Sequence, residues 1–263
     1  MNLIDVVNEI IIISKEAGAA ILRVYNQQEF QIENKADSSP LTEADRMAND
    51  IICRSLIEKY PHIPIISEEN KMEPYQTRKN YEMCWMVDPL DGTKEFIHRN
   101  GDFTVNIALI KQGEPVLGVV YQPVNNNSYY AAKDFGAFSN INGITTSLKT
   151  TPFSIREKGL KVVASRSHLN EETSTFIAQL NEPQLVTRGS SLKFLLLASG
   201  QADIYPRLAP TSEWDTAAAQ CILTVAGGIV LQADNGIPMG YNKESLLNPS
   251  FIAYRHSSFN EGS

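Results

Sequence analysis

The chain has 263 residues, 43% of them hydrophobic, with a formal net charge of −7 and a pI near 5.2. That length supports one large core or two fused smaller ones, and the acidic balance excludes a general binder of nucleic-acid polymers, because no basic face is available to neutralise a phosphate backbone. Cys53, Cys84 and Cys221 are odd in number, far apart and set in apolar runs, which reads as three small buried hydrophobes in a reducing compartment.

From Leu3 to Tyr25, apolar residues at Ile4, Val7, Ile11, Ile21 and Tyr25 follow one helical face and predict a packing helix. Its aliphatic run Ile10 to Ile13 is too short for a membrane span and lacks the basic flank of a signal peptide. A cytoplasmic protein is therefore expected; peripheral contact with the cytoplasmic face of the inner membrane stays open, although the net charge disfavours unaided adsorption to anionic lipid. Residues 35–40 form a polar turn, after which Thr42, with Asp45 three residues on, makes a variant capping box for a helix from Glu43 to Lys59.

Two short apolar runs, Ile63 to Ile66 and Met83 to Val87, end abruptly in acids, as strands do when they deliver side chains to a sheet edge. Phe103 to Ile110, Val116 to Tyr121 and Ser128 to Ala132 then suggest an antiparallel meander. Beyond about Thr150 the pattern alternates: strands at Leu160 to Ala164, Gln184 to Thr187 and Ala202 to Tyr205, with helices after Asn170, after Gly189 and from Trp214. The expectation is an α+β lobe over residues 1–140 and an α/β lobe over 141–263, built as one unit.

The run Asp88-Pro89-Leu90-Asp91-Gly92-Thr93 carries the strongest chemical signal. An apolar strand delivers Asp88; Pro89, without an N–H, is expected to stop the ladder and let the chain return Asp91 to the same side. Two carboxylates in one small volume repel unless a cation lies between them, and hard oxygen donors suit Mg²⁺ rather than Zn²⁺. Gly92 and Thr93 offer a backbone N–H and a hydroxyl. Alone, the run reads better as an ordinary Asp-Pro-x-Asp-Gly turn. Glu68-Glu69 at another strand end and Asp215 at the start of a helix tip that balance, although Asp215 by itself reads as a favourable helix-terminal charge.

Together these segments resemble the inositol monophosphatase superfamily of magnesium-dependent, lithium-sensitive phosphatases. The likeness rests on Trp85 to Ile97, on Trp214-Asp215-x-Ala217-Ala218 closing on Ala226-Gly227-Gly228, on Glu68, and on Thr42-x-x-Asp45, so it spans nearly the whole chain. It implies a layered αβαβα sandwich of the inositol monophosphatase/fructose-1,6-bisphosphatase type, with two or three Mg²⁺ ions. By the same resemblance, Glu68, Asp88, Asp91 and Asp215 are side-chain metal ligands and the Leu90 carbonyl a further one. Thr93 and Asp45 orient and deprotonate the attacking water, and Glu69 lies outside the ligand set. No covalent alternative is visible: none of His62, His98, His168 and His256 stands at a metal-ligand spacing such as H-E-x-x-H.

Within the superfamily the chain is most similar to the bisphosphate nucleotidase branch, through Lys94 to Ile97, Ser165 to His168, Gly189 to Phe194, and Tyr205 to Arg207. The branch implies hydrolysis of the 3′-phosphate of adenosine 3′,5′-bisphosphate, extending to 3′-phosphoadenylyl sulfate, and recycling of the nucleotide by-product of sulfate activation. Ser190, Lys193 and Arg207 could hold the second phosphate, since serines at a helix N-terminus present donors and two cations supply charge. The same serines read as a helix cap and Lys193 as a solvated side chain. His168 either stacks on adenine or sits on a loop without a role. An inositol or sugar monophosphatase with the same metal site is the competing reading, and a non-catalytic phosphate-binding module a more distant one.

Overall fold

The computed structural model describes residues 1–28, 32–34, 40–164 and 170–260. The chain opens with α1 (Leu3–Tyr25), a two-stranded ribbon of β1 (Ile32–Asn34) and β2 (Pro40–Thr42), and α2 (Glu43–Lys59). There follow β3 (Ile65–Ser67), α3 (Tyr75–Arg78), β4 (Met83–Asp91), α4 (Thr93–Ile97), β5 (Thr104–Lys111), β6 (Glu114–Gln122), β7 (Asn127–Ala132), β8 (Gly136–Ile141) and β9 (Ile144–Leu148). The remainder comprises β10 (Phe153–Ser154), β11 (Lys161–Ala164), α5 (Glu171–Ala178), β12 (Gln184–Thr187), α6 (Leu192–Ala198), β13 (Ile204–Arg207), α7 (Glu213–Val225), β14 (Ile229–Gln232), β15 (Phe251–Tyr254) and β16 (Phe259–Asn260).

Period-two alternation along β4 decides the layering. Trp85 and Val87 face α1 and α2, in a core that also takes Val7, Ile10, Ile52, Ile107 and Val119. Cys84 and Met86 face the other way, onto α6 and α7, which also cover Val163, Tyr205, Phe251 and Ala253 of a second sheet. The outer face of that second sheet packs Leu160, Ile204 and Tyr254 against Phe176 of α5. The order is helix pair, seven-stranded sheet, helix pair, five-stranded sheet, helix: an αβαβα sandwich. Among the described residues, no helix is long and apolar enough to cross a membrane.

The first sheet runs in the order β3-β4-β5-β6-β7-β8-β9 and the second β12-β11-β13-β15-β14. Only β3 and β4 pair in parallel in the first sheet; the rest is an antiparallel meander. Three features differ from the sequence expectation. The first sheet continues through β8 and β9 to Leu148, where no strands were expected, because Asn142 and Gly143 (φ +53° and +80°) turn a tight hairpin between them. β14 and β15 pair antiparallel at one edge of the second sheet, where no strand was expected. Pro89 does not stop β4.

Candidate active site

Parallel pairing aligns the C-terminal ends of β3 and β4, with Ser67 opposite Val87, so Glu68 and Asp88 emerge side by side. The Glu68 N–H donates to the Val87 carbonyl at 3.1 Å and fixes that register. Beyond Asp88 the ladder with β5 resumes rather than ending at the proline. Asp88 pairs with Asn106 and Asp91 with Thr104, three positions against two, which is a β-bulge. In an unbroken strand, residues three apart would face opposite sides. The extra residue returns Asp91 to the side of Asp88, and a bulge tolerates Pro89 because its unpaired position needs no N–H.

Four of the acids are each oriented through one oxygen by a backbone N–H. Asp88 Oδ1 accepts from Leu90 N at 3.0 Å, Asp91 Oδ2 from Ser191 N at 2.6 Å, Asp215 Oδ2 from Ser212 N at 2.8 Å, and Asp45 Oδ2 from Thr42 N at 2.7 Å. In α2 and α7 that bond belongs to a capping box, so Asp45 and Asp215 each stabilise a helix start with the same side chain that reaches the site. The helix-terminal reading of Asp215 and its place in the acidic group hold together. Thr93 Oγ1 lies 3.3 Å from Asp45 Oδ1 and 3.4 Å from the Leu90 carbonyl, and its single proton can go to either.

Burial pushes the Asp88 carboxyl well above the ordinary range, and the charges of Glu68, Asp91 and Asp215 push it further. Asp215 is driven up to about 8, first by burial and then by Asp91. Asp91 is also raised by burial, although Lys193, Ser191 and Asn106 hold it down. Among the described residues, no three His, Cys, Asp or Glu side chains already stand in a group that could hold a metal ion. The acids nevertheless lie close enough to raise one another's pKa, and an all-oxygen donor set under mutual repulsion fits a hard divalent cation.

A cavity of about 140 Å³ opens beside Asp91 and Asp215 and is lined by Gly92, Lys94, Glu95, Ser190, Lys193, Phe194, Tyr205, Arg207, Thr211 and Thr216 as well. It gathers Gly92, Ser190, Lys193, Arg207 and Asp215 from the sequence-selected set. Two larger hollows, about 510 and 590 Å³ around Glu114 and Lys133, contain none of that set. Lys193 is only 9% exposed, contrary to a solvated side chain. Its ammonium donates to the Ser190 carbonyl at 2.6 Å and lies over the Tyr205 ring. Burial lowers its pKa while Asp91 opposes that. Arg207 donates to the Pro210 carbonyl at 3.1 Å, and its buried Nε has no hydrogen-bond partner among the described residues.

Ser191 occupies the N-cap position of α6, but neither serine side chain caps it. α6 starts at Leu192; Ser190 adopts a left-handed conformation (φ +43°), and the Ser191 hydroxyl donates to the Asp215 carbonyl at 2.7 Å instead of capping. Nor is the Ser191 N–H available to a ligand, since it binds Asp91. His168 lies outside the described residues, with Ser165 to Ser167. Thr211, Thr216 and Asn106 escaped the sequence reading. Asn106 left a signal: it is the one amide in an otherwise apolar run from Val105 to Ile110.

The chain matches the model of the inositol monophosphatase family over residues 4–262. It belongs to that family. Curated relatives include the 3′(2′),5′-bisphosphate nucleotidase CysQ of Salmonella typhimurium, 45% identical over 91% of this chain and 95% of its own. The protein of the same name from Escherichia coli K12 is 44% identical with the same coverage. Among solved structures, CysQ from Bacteroides thetaiotaomicron, described as a bacterial member of the family, superposes with a TM-score of 0.80 at 43% identity. That alignment covers 92% of this chain and 94% of the other.

Proposed function

We propose that this family member is a phosphoric monoester hydrolase that removes the 3′-phosphate of adenosine 3′,5′-bisphosphate, releasing AMP and phosphate, with 3′-phosphoadenylyl sulfate as a second substrate. The observation that carries the substrate choice is the pair of cations lining the cavity, buried Lys193 and Arg207, beside the group of acids. A monoester with one phosphate needs charge neutralised once. A bisphosphate needs it twice, and two side-chain cations in the same cavity answer the second need. The nucleotidases that share 44–45% identity with the chain support the same reading.

Glu68, Asp88, Asp91, Asp215 and the Leu90 carbonyl would hold two or three Mg²⁺ ions. Bound there, Mg²⁺ would neutralise the phosphoryl oxygens and lower the pKa of water toward neutrality. Thr93 and Asp45 manage the proton: a water bonded to Thr93 Oγ1 passes its proton along the hydroxyl to Asp45 Oδ1, 3.3 Å away, as it attacks phosphorus in line with the departing ribose oxygen. Gly92, in a left-handed backbone conformation (φ +94°), and the Ser190 hydroxyl line the cavity and would orient the ester. Cys53, Cys84 and Cys221 are all unpaired, in keeping with a reducing, cytoplasmic setting.

The test separates substrates by the second phosphate. Arg207→Ala is expected to raise KM for adenosine 3′,5′-bisphosphate about 10- to 100-fold, the worth of a lost charge-assisted hydrogen bond, with far less effect on a monophosphate ester. An equal loss on both esters would assign Arg207 to the fold rather than to the second phosphate.

A further inference from the structure

The acids come from two separate parts of the fold, Asp88 and Asp91 from the first sheet and Asp215 from α7, and something must hold those parts in register. Two buried polar residues between them, Asn106 of β5 (1% exposed) and Ser191 before α6 (2% exposed), are linked to both. Thr104 Oγ1 donates to Asn106 Oδ1 at 2.9 Å, which fixes the amide so that its nitrogen points the other way. The two protons on that nitrogen then have two acceptors: Asp91 Oδ2 at 3.2 Å and Ser191 Oγ at 2.9 Å. Ser191 donates its hydroxyl proton to the Asp215 carbonyl at 2.7 Å and its N–H to Asp91 Oδ2 at 2.6 Å.

Every donor in this chain has an acceptor, and the links through Thr104, Asn106 and the Ser191 hydroxyl's acceptor side are fully buried. A fully satisfied buried network specifies a single geometry, because breaking any link leaves an unpaired polar group in the interior. The Ser191 segment is itself anchored. Asp102, 5% exposed at its side chain, accepts from Gly189 N at 3.1 Å and pairs with Arg188 at 3.3 Å. A Cβ on Gly189 would stand 2.8 Å from the Asp102 carbonyl oxygen, so the loop is pressed against the first sheet.

We propose that Asn106 and Ser191 are positioning residues that set the separation between Asp91 and Asp215, and through it the affinity of the site for its divalent ions. The proposal rests on the reading of those acids as metal ligands. Neither residue needs to touch substrate. Asn106 and Ser191 orient Asp91 Oδ2, and the Ser191 hydroxyl ties the first turn of α7 to the first sheet.

Calorimetric titration of the full chain with MgCl₂, in the absence of substrate, tests this. Ser191→Ala, which keeps the N–H, and Asn106→Ala are each expected to weaken Mg²⁺ binding about tenfold or more, the range found when partners that orient metal ligands are removed. The metal-free melting temperature of Ser191→Ala is expected to shift by only a few degrees. The double variant should lose much less than the product of the single losses, because both act through one network. Asp215→Asn should weaken binding strongly, and adding Ser191→Ala to it should cost little more. Wild-type Mg²⁺ affinity in both single alanine variants overturns the proposal while leaving the ligand assignment intact. Wild-type affinity in Asp91→Asn and Asp215→Asn overturns the assignment itself. If Asn106→Ala does not fold, Ser191→Ala alone decides, with wild-type affinity counting against the proposal.

Discussion

Asp91 and Asp215 are raised by burial, and Asp91 contributes to the rise at Asp215, so removing either charge relieves repulsion while removing a candidate ligand. Asp215→Asn is therefore expected to gain thermal stability without Mg²⁺, Asp91→Asn to gain less because it strips buried Lys193 of its counter-charge, and both to lose at least about a hundredfold in phosphate release with Mg²⁺. Melting curves and a phosphate assay on the same preparations check both halves. The acids, Thr93 and Gly92 were legible in the sequence because their neighbours are local: Asp88 to Thr93 is one short run ending an apolar strand. Asn106, Ser191 and Thr211 were not, because each acts on a partner far along the chain. Ser191 meets Asp91 across 100 positions, and nothing in a serine before a helix announces that bond.

Among the elements, α7 matters most to the site, since it carries Asp215 and packs between the sheets. Its approach to β6 depends on Gly118, where a Cβ would stand 2.3 Å from the Ala218 carbonyl oxygen and 2.9 Å from the Cys221 side chain. A backbone atom cannot yield as a side-chain tip can. Gly118→Ala is expected to cost about 1–3 kcal/mol by overpacking, and to reduce phosphate release as α7 moves off the sheet; denaturant unfolding and the phosphate assay measure the two. α1 and α2 were readable to the residue, because helical periodicity and a capping box are local signals. The β4 bulge was not, since Pro89 predicts a break and only the pairing with β5 shows that the ladder resumes. β9 stayed hidden because Ile144 to Ser147 are exposed and show no alternation, although Asn142-Gly143 was available as a hairpin signal.

For the molecule as a whole, pH and metal should act together. Asp215 has a folded pKa of about 8 against an ordinary 3.8, so without metal its contribution to stability is full below about pH 4 and is lost as pH rises through 8. Added Mg²⁺ removes that penalty, and the rise in melting temperature it produces is expected to grow between pH 6 and about 8.5. A constant increment across that range would place the ions elsewhere. Cys84 and Cys221, both pushed up to about 12 by burial from an ordinary 9, give a second alkaline window: stability is retained below pH 9 and falls from there toward 12. Unfolding midpoints in chelator across that range measure it. The substrate is decided most directly by phosphate release from purified protein in Mg²⁺, with adenosine 3′,5′-bisphosphate, inositol 1-phosphate and fructose 1,6-bisphosphate compared at equal concentration. Turnover of the nucleotide at least about tenfold above either sugar ester, abolished by chelation and inhibited by millimolar Li⁺, is the expected result; preferred turnover of an inositol or sugar phosphate would contradict it.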